Sequence, residues 1–189
     1  RNTAHHPWAE KATVCLSLVN SYLQQYPSAY LLADECYQNI TAETNIDKKG
    51  RFAYFIQILG QIYVNLADFT QAEEMFLMAL EFAEESHYTQ VKAKSLNGLA
   101  EIYRRQQKFE LALDNHLAAI ELLDKIGAKC DLAEVYFHLG LTYKSMGKER
   151  ESRINVEKAI LFFNEIEAPK QIEKVNYQLT IKNEQLSLK

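Results

Sequence analysis

Residues 91–125 read VKAKSLNGLAEIYRRQQKFELALDNHLAAIELLDK, and the chain on either side echoes this stretch at a fixed distance. Leu99, Ala100 and Tyr103 recur as Leu59, Gly60 and Tyr63 before it and as Leu139, Gly140 and Tyr143 after it, forty positions away each time. Further along, Ala112, Ala119 and Ile120 answer to Ala72, Ala79 and Leu80, and to Ser152, Ala159 and Ile160. Self-similarity at one period marks a stacked array in which a single supersecondary unit is copied.

Apolar residues at three and four spacing, interrupted by only three prolines and six glycines, fill the sequence with helices and leave no strand pattern. Trp8 to Gln25 reads as one helix, with Pro7 in its first turn and Val14, Leu18 and Tyr22 on one face. Pro27 breaks it, and a second helix from Ser28 carries Leu31, Leu32, Cys36, Tyr37 and Ile40. The polar segment Thr41 to Gly50 reads as a connector. In the first clear repeat, Asp68 with Gln71 three later resembles a capping box, and Thr89 and Asp131 are candidate caps for later first helices. Gly127 and Met146-Gly147 read as helix ends. Pro169 opens a last helix whose Ile172, Val175 and Leu179 form a narrow apolar stripe, with Lys170, Glu173, Lys174 and Asn176 facing away. Such a helix suits the end of an array, covering Ile154, Ala159 and Phe162 or Phe163. The layout is a degenerate hairpin and connector over residues 1–50, repeats over 51–90, 91–130 and 131–168, and a capping helix over 169–189, all in one domain.

Each unit reads Leu-small-x-x-Tyr in its first helix and Ala-x-x-x-bulky-x-x-Ala in its second, and this resembles the tetratricopeptide repeat. Leu59-Gly60-Gln61-Ile62-Tyr63 with Ala72 to Phe76 is the nearest match. The period is forty and not thirty-four, the closing proline is missing, and Ile56, Leu96 and Tyr136 hold the usual tryptophan position. Six extra residues add roughly 9 Å of helix per unit, or a longer loop. The forty-residue form is similar to the repeats of kinesin light chains and of bacterial peptide-sensing adaptors, Ser95-Leu96-Asn97-Gly98-Leu99-Ala100 above all. The resemblance implies an all-α fold, a right-handed superhelical array of antiparallel helix hairpins (a TPR-like α-solenoid) whose first helices line a peptide groove. It places in that groove Tyr54, Gln57, Gln61 and Val64, then Lys94, Asn97, Glu101 and Arg104, then Glu134, Phe137, Leu141 and Lys144. The chaperone-binding members grip a terminal carboxylate with lysine, asparagine and arginine. Here Gln57, Gln61, Gly98, Glu134 and His138 stand instead, so no such clamp is assembled.

No phosphate-cradling glycine loop, nucleophile elbow or metal-spaced histidine pair is present, so the reading is of a protein without catalytic activity, cofactor or metal. His5 and His6 are adjacent near the start, His116 occupies the slot of Phe76 and Val156, and His138 reads as a polar wall residue. A net charge of -4 with interspersed signs gives no footprint for nucleic acid, and no apolar run is long enough for a membrane span. Cys15, Cys36 and Cys130, odd in number and far apart, read as buried thiols of a cytoplasmic protein. The start at Arg1 without methionine reads as a piece of a longer chain. The expected function is a scaffold that binds a protein or peptide partner in the groove. The alternative is a ligand- or peptide-sensing regulatory domain of a larger signalling protein.

Overall fold

The computed structural model describes residues 7–42 and 46–187, with side chains over 11–42, 52–177 and 179. His5, His6 and the start of the chain lie outside the described residues. Among these, nine helices follow one another without a strand: α1 (Pro7–Tyr22), α2 (Tyr26–Ala42), α3 (Ile46–Asn65), α4 (Phe69–Glu85), α5 (Thr89–Arg105), α6 (Phe109–Ile126), α7 (Lys129–Ser145), α8 (Glu149–Glu165) and α9 (Pro169–Ser187). They divide into two compact units, Arg1–Ile102 and Tyr103–Lys189.

From α4 onward each helix starts twenty residues after the last, at 69, 89, 109, 129, 149 and 169. The forty-residue period is therefore two near-equal halves, and the six extra residues lie in the helices. Each junction is closed by its own backbone. Ala67, His87, Gln107, Gly127, Gly147 and Glu167 all have φ between 53° and 74°. At Ala67 the N–H donates to Val64 O (3.1 Å) and the next N–H, of Asp68, to Tyr63 O (2.9 Å). The same pair of bonds recurs at the five other turns, from Tyr88 to Ala83 O through Ala168 to Phe163 O. This is the Schellman arrangement, which satisfies the carbonyls a helix leaves open at its end.

In the first unit, α1 and α2 form a hairpin held by the Ser17 hydroxyl donating to Ala29 O (2.7 Å). The α1 face turned inward is Val14, Ser17 and Ser21; Tyr22, expected beside Val14, is 57% exposed. Pro27 does not precede α2 but sits in its first turn, where its missing N–H has no helical partner to lose. The expected connector is shorter than its polar composition suggests, since α3 already begins at Ile46. In α4, Asp68 caps as expected, Oδ1 accepting from Gln71 N at 3.2 Å. Behind it Ala72, Met75, Phe76, Ala79 and Ala83 form the buried stripe. The Phe76 ring packs on α3 at Gly60, where an added Cβ would stand 2.6 Å from Cε1. Thr89 is inside α5 and not its cap, because Tyr88 O already accepts from Lys92 N (3.0 Å).

In the second unit, α7 starts at Lys129, so Asp131 is a buried first-turn residue and not a cap. His116 is wholly buried on α6, as its place in the repeat foretold, and Nε2 lies 3.0 Å from Thr142 Oγ1 on α7. That hydroxyl also donates to His138 O (3.1 Å) on its own helix. α8 approaches α7 at Gly140, where an added Cβ would meet Val156 Cγ2 at 2.8 Å and Ser152 O at 3.1 Å. Ala133, Phe137, Leu141, Val156, Ala159, Phe163 and, from α9, Val175 make one core, with Ile172 and Leu179 packed on it. Lys170, Glu173, Lys174 and Asn176 are exposed on α9. Ile154, expected beneath this helix, is exposed, and Phe162 instead stacks on Tyr136 at 5.8 Å. Of the cysteines only Cys36 is buried; Cys15 and Cys130 are exposed, against expectation.

Candidate functional site

The twelve groove positions fall into four rows at forty-residue offsets, and the structure treats the rows differently. Gln57, Asn97 and Phe137 are all closed off, Gln57 and Phe137 at 5% exposure. Tyr54, Lys94 and Glu134 are open or half-open in every copy. In the row of Gln61, Glu101 and Leu141 only the first two reach the surface, and in the row of Val64, Arg104 and Lys144 only the last two do. The open set is therefore almost wholly polar.

Packing explains the losses. Phe137 and Leu141 are consumed by the core that α9 completes, so neither is an apolar anchor for a ligand. Val64 is buried in the first unit. Gln57 Oε1 is buried and finds no hydrogen-bond partner among the described residues, which makes it a cost to the fold and not an exposed hand. Gln61 is half-spent: its Nε2 donates to Asn65 Oδ1 (3.2 Å), whose Nδ2 donates to Ser21 Oγ (3.0 Å) on α1. This polar chain fastens the N-terminal hairpin to α3. No sequence signal pointed to it, since Ser21 and Asn65 are ordinary helix-surface types.

What stays open on the second unit is cationic at one end. Arg104, at the end of α5, donates from Nη1 to Ser145 Oγ (3.4 Å), the last residue of α7, next to Lys144. Neighbouring tyrosines serve packing: Tyr63 is buried, with Tyr30 edge-on to it at 5.9 Å, and Tyr136 is stacked and half-buried. Burial first, and then the Asp124 carboxylate, pushes the Tyr136 hydroxyl above the usual tyrosine range. No group of three or more His, Cys, Asp or Glu among the described residues could hold a metal ion.

A family model of the tetratricopeptide repeat matches residues 52–125 and again residues 91–163. The chain belongs to the tetratricopeptide repeat family. The two overlapping matches fall on α3 to α8, the hairpins whose first helices carry the rows above. Solved structures share the fold, among them the two that follow. Aspartyl phosphate phosphatase F from Bacillus subtilis superimposes with a TM-score of 0.71 at 15% identity, over 89% of this chain and 43% of its own. BtubC from P. vanneervenii does so with a TM-score of 0.53 at 16% identity, over 83% and 80%. This chain thus spans less than half the length of the first. No curated protein sequence matches it. Tetratricopeptide repeats make the chain a protein-interaction scaffold. No helix of the described residues is long and apolar enough to cross a membrane.

Proposed function

We propose that the first helices bind an extended segment of a partner protein, in the second unit through Glu134 and Lys144 on α7 and Arg104 at the end of α5. The observation that supports this reading is the Arg104–Ser145 contact, which holds a guanidinium against the last residue of α7. A guanidinium held there suits an acidic side chain, since it meets a carboxylate with two parallel hydrogen bonds. With Phe137 and Leu141 withdrawn into the core, the segment is held by charge and polar contacts more than by apolar anchors. Such complementarity serves specificity and the rate of encounter more than raw affinity. A regulatory role, in which the bound segment controls an attached domain, uses the same surface.

The test is binding of a captured partner by fluorescence anisotropy. Arg104→Glu and Lys144→Glu should each weaken it by at least about fivefold while helicity and melting temperature hold. Changes on the second helices at Glu73, Glu110 and Asp114 should leave it intact. The opposite result would move the working surface to the second helices.

A further inference from the structure

Away from the rows of the first helices, the first unit has a groove of about 640 Å³ between the start of α2 and the α3–α4 turn. Tyr26, Pro27, Tyr30, Leu66 and Phe69 give it apolar walls, and Asp68 is the one charged residue among those that line it. The volume falls within the range of small-ligand sites. Tyr26 and Tyr30 are 46% and 47% exposed, so their rings are presented and not spent on the core. Tyr30 is nonetheless held, edge-on against buried Tyr63 with centroids 5.9 Å apart. Asp68 is fixed as the α4 cap, Oδ1 accepting the Gln71 N–H, which leaves Oδ2 to accept from elsewhere. Asp34 adds a second negative charge close by: after burial and the Tyr30 hydroxyl, the charges of Asp34 and Asp68 help push the Tyr63 hydroxyl above the usual tyrosine range.

Aromatic faces around a carboxylate suit a cation on an apolar stem. A purely apolar occupant, a proline-rich segment included, would cover Asp68 without pairing it, at a desolvation cost. An ammonium would meet the charge, but it is compact, strongly hydrated and does not lie flat on a ring. A guanidinium is planar, stacks on tyrosine and carries several donors for one carboxylate. We propose that this groove is a binding site for an arginine side chain of a partner protein, its guanidinium on the Tyr26 and Tyr30 rings and donating to Asp68 Oδ2.

The experiment titrates the isotope-labelled chain, followed by amide NMR, with Nα-acetyl-arginine amide and with its lysine and citrulline counterparts. Citrulline keeps the shape of arginine and lacks its charge. Saturable shifts at Ala67, Phe69 and Thr70 with the arginine compound, weaker ones with lysine and none with citrulline, are the expected result. Asp68→Asn retains a good helix cap, and Tyr26→Ser alters an exposed side chain, so both variants should fold. Each should weaken arginine binding by at least about fivefold. Equal binding of citrulline, tighter binding of lysine, no binding, shifts confined to other residues, or unchanged binding by Asp68→Asn would each overturn the proposal.

Discussion

The Phe76 ring and Gly98 are in such close contact that an added Cβ at Gly98 would overlap Cζ and lie 2.5 Å from Cε2 and 2.6 Å from Cε1. Gly60 bears on the same ring, so two glycines from α3 and α5 receive one phenylalanine of α4. The forty-residue period marks Gly60, Ala100 and Gly140 as equivalent small residues, and Gly98 lies outside that set. Gly98→Ala should destabilise the chain by about 3 kcal/mol, the upper end of overpacking, because Phe76 is fully buried and cannot swing away. Chemical denaturation measures it. Phe76→Leu, harmful alone, should recover part of the loss in the Gly98→Ala background. A double variant whose losses simply add would show that the two residues do not share the strain.

The helix turns offer a cleaner backbone test. Gln107 has φ 60° and Gly127 φ 67°, both in the left-handed region that costs a side-chain-bearing residue about 1 kcal/mol. Nothing lies within 4 Å of a Cβ added at Gly127, so Gly127→Ala reports on the backbone alone. It should destabilise by about 1 kcal/mol and Gln107→Gly should stabilise by about as much. Thermal melts of the two variants, moving in opposite directions, would show it. Shifts of the same sign would mean that these turns are not held in the Schellman geometry.

These turns also show where sequence reading stopped. The forty-residue period was legible because Leu, a small residue and Tyr must return wherever two helices cross. The twenty-residue half-period was not, since Ala67, His87, Gln107, Gly127, Gly147 and Glu167 share no side-chain chemistry. Their turns are made by main-chain N–H and C=O groups, which every residue has. Burial along the groove rows was hidden for a related reason. Periodicity says which residues are equivalent, but it does not say that α9 covers Phe137 and Leu141 while Lys94 stays accessible. Nor could it reveal that Tyr26, Tyr30 and Asp68, from two different hairpins, line one groove.

A buried polar pair predicts an asymmetric response in the second unit. The Thr142 hydroxyl is hydrogen-bonded to His116 Nε2, and both side chains are wholly buried. Thr142→Val keeps the shape and removes the hydroxyl, leaving His116 Nε2 without that partner in the core. The expected loss is about 1–3 kcal/mol. Thr142→Ser keeps the hydroxyl and should lose less. Denaturant midpoints at constant slope would separate the cases, and a valine variant as stable as the parent would remove this bond from the account of how α6 holds α7.

Helix α9 carries the last prediction. Val175 is the α9 residue that enters the core of Phe137, Leu141, Val156 and Phe163, with Ile172 and Leu179 packed beside it. Val175→Asp places a carboxylate among apolar side chains, where an unpaired charge is not tolerated, so α9 should detach and not merely loosen. The face it leaves would expose Phe137, Leu141 and Phe163 together, and a contiguous apolar patch of that kind drives association. Light scattering across a concentration series should then show oligomers for Val175→Asp and for a chain ending at Ala168. Lys174→Asp, one residue away on the exposed side of the same helix, should behave as the parent does. If Val175→Asp stays in the oligomeric state of the parent, with its melting temperature unchanged, α9 is not what closes the α7–α8 core.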